Sequence, residues 1–263
     1  MFLYDSDPEK NQWLITSCQH FYSQLAANIT KTITQSTRYG KLYELDCRLR
    51  PTGKSGALAV SLPEFQRYFE SGQGHFWERL ALCKARTIFG HPELQRAATQ
   101  SVRNAIGNKK WVPEVANQIR EMRFKMQEDC SPRNLKRGIG GTVDIEFLVQ
   151  TLQLKYFAES PAVLVPGTLD AITELAAANY LSDSDGSFLL ESYEFLRAVE
   201  ACLRLMNAAG RHELPQDESQ LKKLAFLLKF DCSENLLHRI ERFRQENREI
   251  FNRIFSQLIQ KGA

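Results

Sequence analysis

The sequence has no apolar run approaching the ~18 residues that a membrane-spanning helix needs, which argues against a helical membrane protein. Its opening, Met1-Phe2-Leu3-Tyr4-Asp5-Ser6-Asp7, lacks a basic region and turns acidic at once, so it does not read as a secretory signal. The six cysteines (Cys18, Cys47, Cys83, Cys130, Cys202, Cys232) lie far apart, with no C-x-x-C pair and no metal-ligand spacing. They are expected to be reduced thiols in a cytoplasmic protein. The histidines, His20, His75, His91, His212 and His238, show no ligand spacing either and receive no role. No low-complexity segment or internal repeat stands out.

What is present is the balance of an ordinary globular protein: 263 residues, 43% hydrophobic and 25% charged, enough for one large domain or two modest ones. Net charge is only +3, yet Lys84 to Arg137 holds twelve Lys and Arg against five Asp and Glu, a local +7 that leaves −4 elsewhere. Such asymmetry suits a phosphate-bearing ligand or an acidic partner surface, and equally a solvated basic helix face.

Trp13, Leu14, Cys18, Phe21, Leu25 and Ile29 recur every three or four residues and predict a helix from Pro8 to about Ser36. From Leu42 to Arg50 the period becomes two, with Tyr43, Leu45, Cys47 and Leu49 on one side and Glu44, Asp46, Arg48 and Arg50 on the other. That pattern predicts a strand with one buried and one charged face. A turn over residues 51–56 and a short strand over 57–60 follow, then a helix opened by the capping pair Ser61 and Glu64. Further helices are predicted over 76–89, 93–106, 112–129, 141–158, 167–179, 186–209, 217–229 and 233–260. Seams such as Val115-Ile119-Met122-Met126, Leu196-Val199-Leu203-Met206 and Ile240-Phe243-Ile250-Ile254 predict a bundle core. The expected fold is mostly α with a small α/β part, divided into residues 1–90 and a helical bundle over 91–263.

Charges on a strand face need partners, because unpaired charge does not tolerate burial. Glu44, Asp46, Arg48 and Arg50 could pair with one another at an exposed sheet face. Alternatively, Asp46 could hold a divalent cation while Arg48 or Arg50 meets phosphate oxygens. The Gly53-Lys54-Ser55 loop is not a P-loop, since that motif needs glycine where Arg48 stands. Further on, Gly140-Gly141 opens a helix with a polar stripe of Thr142, Glu146, Gln150 and Gln153. With Lys136 and Arg137 before it, this helix start could hold phosphate or an acidic group, or the stripe could bridge domains through ordinary hydrogen bonds. Arg197, Glu200 and Arg204 share a helix face and read as a surface charge network.

Four blocks then carry a resemblance. Tyr43-Glu44-Leu45-Asp46-Cys47-Arg48-Leu49-Arg50-Pro51-Thr52-Gly53-Lys54-Ser55-Gly56 resembles the Tyr-x-Val-Asp-x-Arg-Leu-Arg-Pro-x-Gly-x-x-Gly signature of the glutamate-ammonia-ligase adenylyltransferase family. Residues 77–86, 114–126 and 135–147 resemble three further family blocks in the same order, the last being Lys-x-Gly-x-Gly-Gly-Ile-x-Asp-Ile-Glu-Phe.

The resemblance implies a polymerase β-type nucleotidyltransferase domain, truncated here, followed by a helical bundle. It implies AMP transfer from ATP to, or removal from, a tyrosine of glutamine synthetase, with Mg²⁺ as cofactor. By the same resemblance Asp46 is the catalytic metal ligand, and Arg48, Arg50 and Lys54 meet the nucleotide's phosphates. Lys136, Arg137, Gly140, Gly141, Asp144 and Glu146 become a domain-interface or partner site. Glutamine synthetase is the implied substrate, a nitrogen-regulatory signalling protein a further partner; no membrane or nucleic acid is expected. The family's Ser-Asp-x-Asp strand, which carries two more metal-binding aspartates, would align just ahead of Met1, so Asp46 alone of three expected carboxylates is in this sequence. Asp5 and Asp7 align after that pair and are not substitutes. The chain is therefore expected to transfer nucleotides poorly, or to be a non-catalytic binding homologue.

Overall fold

A computed structural model describes residues 1–5, 12–38, 40, 43–206 and 212–260. The chain divides into two compact units, Met1–Lys110 and Trp111–Ala263. Among the described residues the fold is mostly helical, with a single two-stranded sheet.

In the first unit β1 (Phe2–Tyr4) runs parallel to β2 (Ala59–Ser61), with Phe2 opposite Ala59 and Tyr4 opposite Ser61. Helix α1 (Gln12–Thr34) packs on β2, and Tyr4, Ala26 and Ala59 form a small core with Cys18 and Tyr22 against it. The Tyr4 and Tyr22 rings stack at 4.5 Å. So narrow a sheet covers only one stripe of α1. Phe21, Leu25 and Ile29, expected in the core, are exposed.

The predicted strand over 42–50 does not form among the described residues; Leu42 lies outside them, and 43–49 has no ladder partner. A strand is stable only against another strand, and among the described residues 43–49 is paired with neither β1 nor β2. The side chains meant to be buried follow suit, Tyr43 being 63% and Leu45 38% exposed.

Ser61 caps α2 (Leu62–Glu70), its hydroxyl accepting the Glu64 N–H at 3.3 Å, and Leu62, Phe65 and Phe69 turn inward. Helix α3 (Phe76–Leu82) stops well before residue 89. Thr87, Ile88 and Phe89 lose rotamer freedom in a helix, and Gly90 sits at φ +140°. Helix α4 (Pro92–Gly107), grouped with the bundle by the sequence, packs on α2 and α3 within the first unit. Buried polar side chains tie these helices together: Gln66 donates to the Ser101 hydroxyl at 2.7 Å, and Arg79 to the Ala105 carbonyl at 3.2 Å.

The second unit holds α5 (Pro113–Glu128), α6 (Thr142–Tyr156), α7 (Thr168–Ala177), α8 (Asp183–Leu205), α9 (Glu218–Leu227) and α10 (Ser233–Gln260). Long α10 contacts α5, α6, α8 and α9, and its Ile240, Phe243, Ile250 and Ile254 are buried as their spacing predicted. Leu196, Val199 and Leu203 of α8 join Leu135, Leu224 and Leu236 in the core. Helix α6 is buried nearly all round.

Candidate functional site

The Arg-Leu-Arg-Pro-x-Gly loop owes its shape to Arg50. Its guanidinium folds back on its own loop, donating to the Cys47 carbonyl, to Gly56 at 3.2 Å and to Lys54 at 3.3 Å. Thr52 and Gly53 at φ +61° and +59° close a tight turn that runs into a short 3₁₀ turn, Gly53–Ser55. Arg50 is thus committed to the loop's carbonyls, whereas Arg48 and Lys54 stay at the surface.

Asp46 and Arg48 pair with each other. Arg48 Nε lies 2.8 Å and 2.9 Å from the two Asp46 oxygens, and the Arg48 backbone N–H adds a bond of 3.0 Å. The hydrogen-bonded Arg48 guanidinium pulls the exposed Asp46 carboxyl down to about 2, with Lys54 adding a smaller pull. A lowered folded-state value means that this pair's contribution is present above the ordinary carboxylate value and is lost as pH falls through about 2. We expect Asp46 to stay ionised to about pH 2 in an NMR titration and to return toward 3.8 in Arg48→Met. An unchanged titration in the variant would show that Arg48 is not its partner.

The described residues do not fit a two-ion Mg²⁺ site. Both Asp46 oxygens are taken by a guanidinium, and no group of three His, Cys, Asp or Glu converges among the described residues.

The second predicted cluster lies inside the helical unit and is of a different kind. Asp144, in the first turn of α6, is fully buried between Arg123 of α5 at 2.5 Å and Arg248 of α10 at 2.9 Å. Its Oδ2 also accepts the Gly140 N–H at 2.8 Å. Arg123 Nη2 donates to the carbonyls of Arg137 and Gly138, Arg244 Nε to that of Ile139, and Asn247 Nδ2 to that of Gly140. Four consecutive carbonyls of the glycine turn are therefore gripped by side chains from α5 and α10. Burial pushes the Asp144 carboxyl up, while Arg123, Arg248 and the Gly140 N–H pull it back. Burial likewise holds Arg244 and Arg248 below the usual guanidinium range.

This geometry answers the open question about the α6 start. The N–H groups of Thr142, Val143 and Asp144 already donate to the carbonyls of Leu135, Lys136 and Gly141. These three donors are therefore already engaged within the turn, and Gly140, Gly141 and Asp144 are buried. Lys136 is half-buried and Arg137 exposed at its rim. Two members of the polar stripe find partners within the unit: Glu146 accepts the Tyr193 hydroxyl at 2.8 Å, and Gln153 donates to the carbonyls of Val163 and Val165. Burial, with Glu146 beside it, pushes the Tyr193 hydroxyl up to about 12.

Glu200, read as a surface charge, is fully buried, 2.6 Å from Arg197 and 3.1 Å from His212. No helical spacing could have joined it to His212, which lies outside α8 and α9. Arg123 stood inside a resemblance block without a role, and nothing in the α10 spacing signalled Arg244, Asn247 or the half-buried Arg248.

Comparison with known proteins divides the chain at the same place as the structure. A family model described as glutamate-ammonia ligase adenylyltransferase matches residues 1–101, and one described as GlnD PII-uridylyltransferase matches residues 114–255. Both descriptions name nucleotidyltransferases, and the gap between them spans the boundary of the two compact units. A Stenotrophomonas maltophilia protein named bifunctional glutamine synthetase adenylyltransferase/adenylyl-removing enzyme is 33% identical over 80% of this chain and 23% of its own length. A Rhodopseudomonas palustris protein of the same name is 31% identical over 95% of this chain and 25% of its own length. The chain belongs to the glutamate-ammonia ligase adenylyltransferase family. It spans about a quarter of the length of the curated relatives it matches.

Proposed function

We propose that this chain serves, in the cytoplasm, the attachment of AMP from ATP to a tyrosine of glutamine synthetase or its removal, and that the chain by itself binds without transferring. In this reading Arg48 and Lys54 are the exposed cations that meet phosphate, Arg50 keeps the loop in shape, and Asp46 holds Arg48 extended. The observation that carries it is the continuous similarity to relatives of that name across both compact units. The non-catalytic side rests on Asp46. Ions held ~3.5–4 Å apart need several carboxylates, and Asp46 is committed to Arg48. Glutamine synthetase is the partner, with a nitrogen-regulatory signalling protein as a further one, and the basic stretch from Lys84 to Arg137 supplies attraction to an acidic surface. Arg123 is buried and contributes nothing there.

The test incubates the purified chain with glutamine synthetase, labelled ATP and Mg²⁺. We expect capture of glutamine synthetase that weakens as the Debye length falls from ~10 Å to ~3 Å, with no label transferred. Robust labelling would overturn the non-transferring role. Capture indifferent to salt, or absent at low salt, would overturn the partner surface.

A further inference from the structure

Far along the second unit from the glycine turn, the C-terminal end of α6, the α7–α8 turn and the second half of α10 enclose a cleft of about 170 Å³. Leu152, Leu181, Ile254 and Leu258 line it and are buried, so its floor is apolar. Tyr156 and Tyr180 form one wall, their rings stacked at 3.8 Å. The rim carries two cations, Lys155 and Arg253, and one carboxylate, Asp185.

Both cations have capacity to spare. Lys155 Nζ sits 4.9 Å from the centre of the Tyr156 ring and has no hydrogen-bond acceptor among the described residues. Arg253 meets Asp185 through Nη2 alone, at 2.6 Å, and its Nε and Nη1 have no partner among the described residues. The rim therefore has one positive charge beyond what Asp185 balances. Glu159, which meets the Tyr180 hydroxyl at 3.5 Å, does not line the cleft.

We propose that this cleft binds a small organic carboxylate with an aromatic or apolar body, its head held by Lys155 and Arg253 and its body laid on the leucine floor beside the tyrosines. The volume matches such a ligand. One water-sized group occupies ~10–15 Å³ by this measure, so the cleft has room for roughly a dozen non-hydrogen atoms. Arg253 keeps its Nε and Nη1 donors for an anion, and Lys155 adds a second cation on the same rim. A cationic or neutral ligand of the same body would leave that charge unanswered. The site is separate from the Arg48 loop and does not depend on the proposed role in nucleotide transfer.

Benzoate, benzylamine and benzyl alcohol, titrated into the full chain by calorimetry, separate head from body. We expect saturable binding of benzoate below about 10 mM, and at least about tenfold weaker binding of the other two. Lys155→Met and Arg253→Met should each weaken benzoate about tenfold with an unchanged melting curve. Gln257→Trp, at an exposed rim position, should block the cleft and abolish binding while the chain stays folded. No saturable benzoate binding, equal binding of benzylamine, or full benzoate affinity in Gln257→Trp would each overturn the proposal.

Discussion

Asp144→Ala is expected to lower the stability of the helical unit by about 3–5 kcal/mol, the usual cost of removing one partner from a buried ion pair. The variant leaves Arg123 wholly buried without its counter-ion, leaves Arg248 nearly so, and strips the Gly140 N–H of its acceptor. At roughly 2–4 °C per kcal/mol for a unit of this size, the melting transition followed by circular dichroism should fall by about 10 °C. The cost lies in the charges left behind rather than in the attraction lost, so a second change should recover part of it. Asp144→Ala combined with Arg123→Met removes one orphaned guanidinium and should melt above the single variant. Hydrogen exchange adds a local readout, the Gly140 amide exchanging faster in Asp144→Ala. A melting point within about 1 °C of the parent would show that the cluster is not holding the turn.

Gly140→Ala should be nearly as damaging, for a reason of space. Gly140 sits at φ +67°, and a Cβ there would stand 1.7 Å from the backbone carbonyl oxygen of Arg244 in α10. The strain of a left-handed alanine costs about 1–2 kcal/mol, and either the turn or α10 must also move. Movement breaks the bonds from Asn247 to Gly140 and from Arg244 to Ile139, at about 1–2 kcal/mol each. A total near 4 kcal/mol is expected in urea unfolding. The neighbouring glycine gives the control. Gly141 has an ordinary φ of −73°, and its Cβ would meet the Leu135 carbonyl at 2.5 Å, so Gly141→Ala carries the clash without the dihedral strain and should cost less. If Gly141→Ala were the more damaging of the two, the close approach to α10 would not be what demands glycine.

Both predictions concern residues that were visible as a motif and invisible as a mechanism. The Gly-Gly pair and Asp144 stood out by resemblance, yet it is Gly140 and not Gly141 that adopts a positive φ, where α10, some hundred residues later in the chain, passes against the turn. The same holds for Asp46 and Arg48. Their alternation placed them on one side of an extended segment, but whether they face a cation, a phosphate or each other depends on what lies beside that segment. In the first unit the lack of a neighbouring strand left them to pair in solvent.

The helices were legible because a 3.6-residue apolar period is a local property: α4 to α10 lie where periodicity and caps put them, the α10 seam is buried, and Val115, Met122 and Met126 of the α5 seam are half-buried around a buried Ile119. The family too was written in linear order, in four blocks spread over loops, turns and the helices α3 and α5. What only tertiary structure decided is the partner of each charge that pairs beyond its own helix or loop. Asp144 and Glu200 became buried ions because distant arginines and a histidine arrived to meet them, while Asp46 stayed exposed because nothing but Arg48 did. The free energy of a charge is set by its surroundings within a few ångströms, and sequence spacing specifies those surroundings only along a single helix or strand.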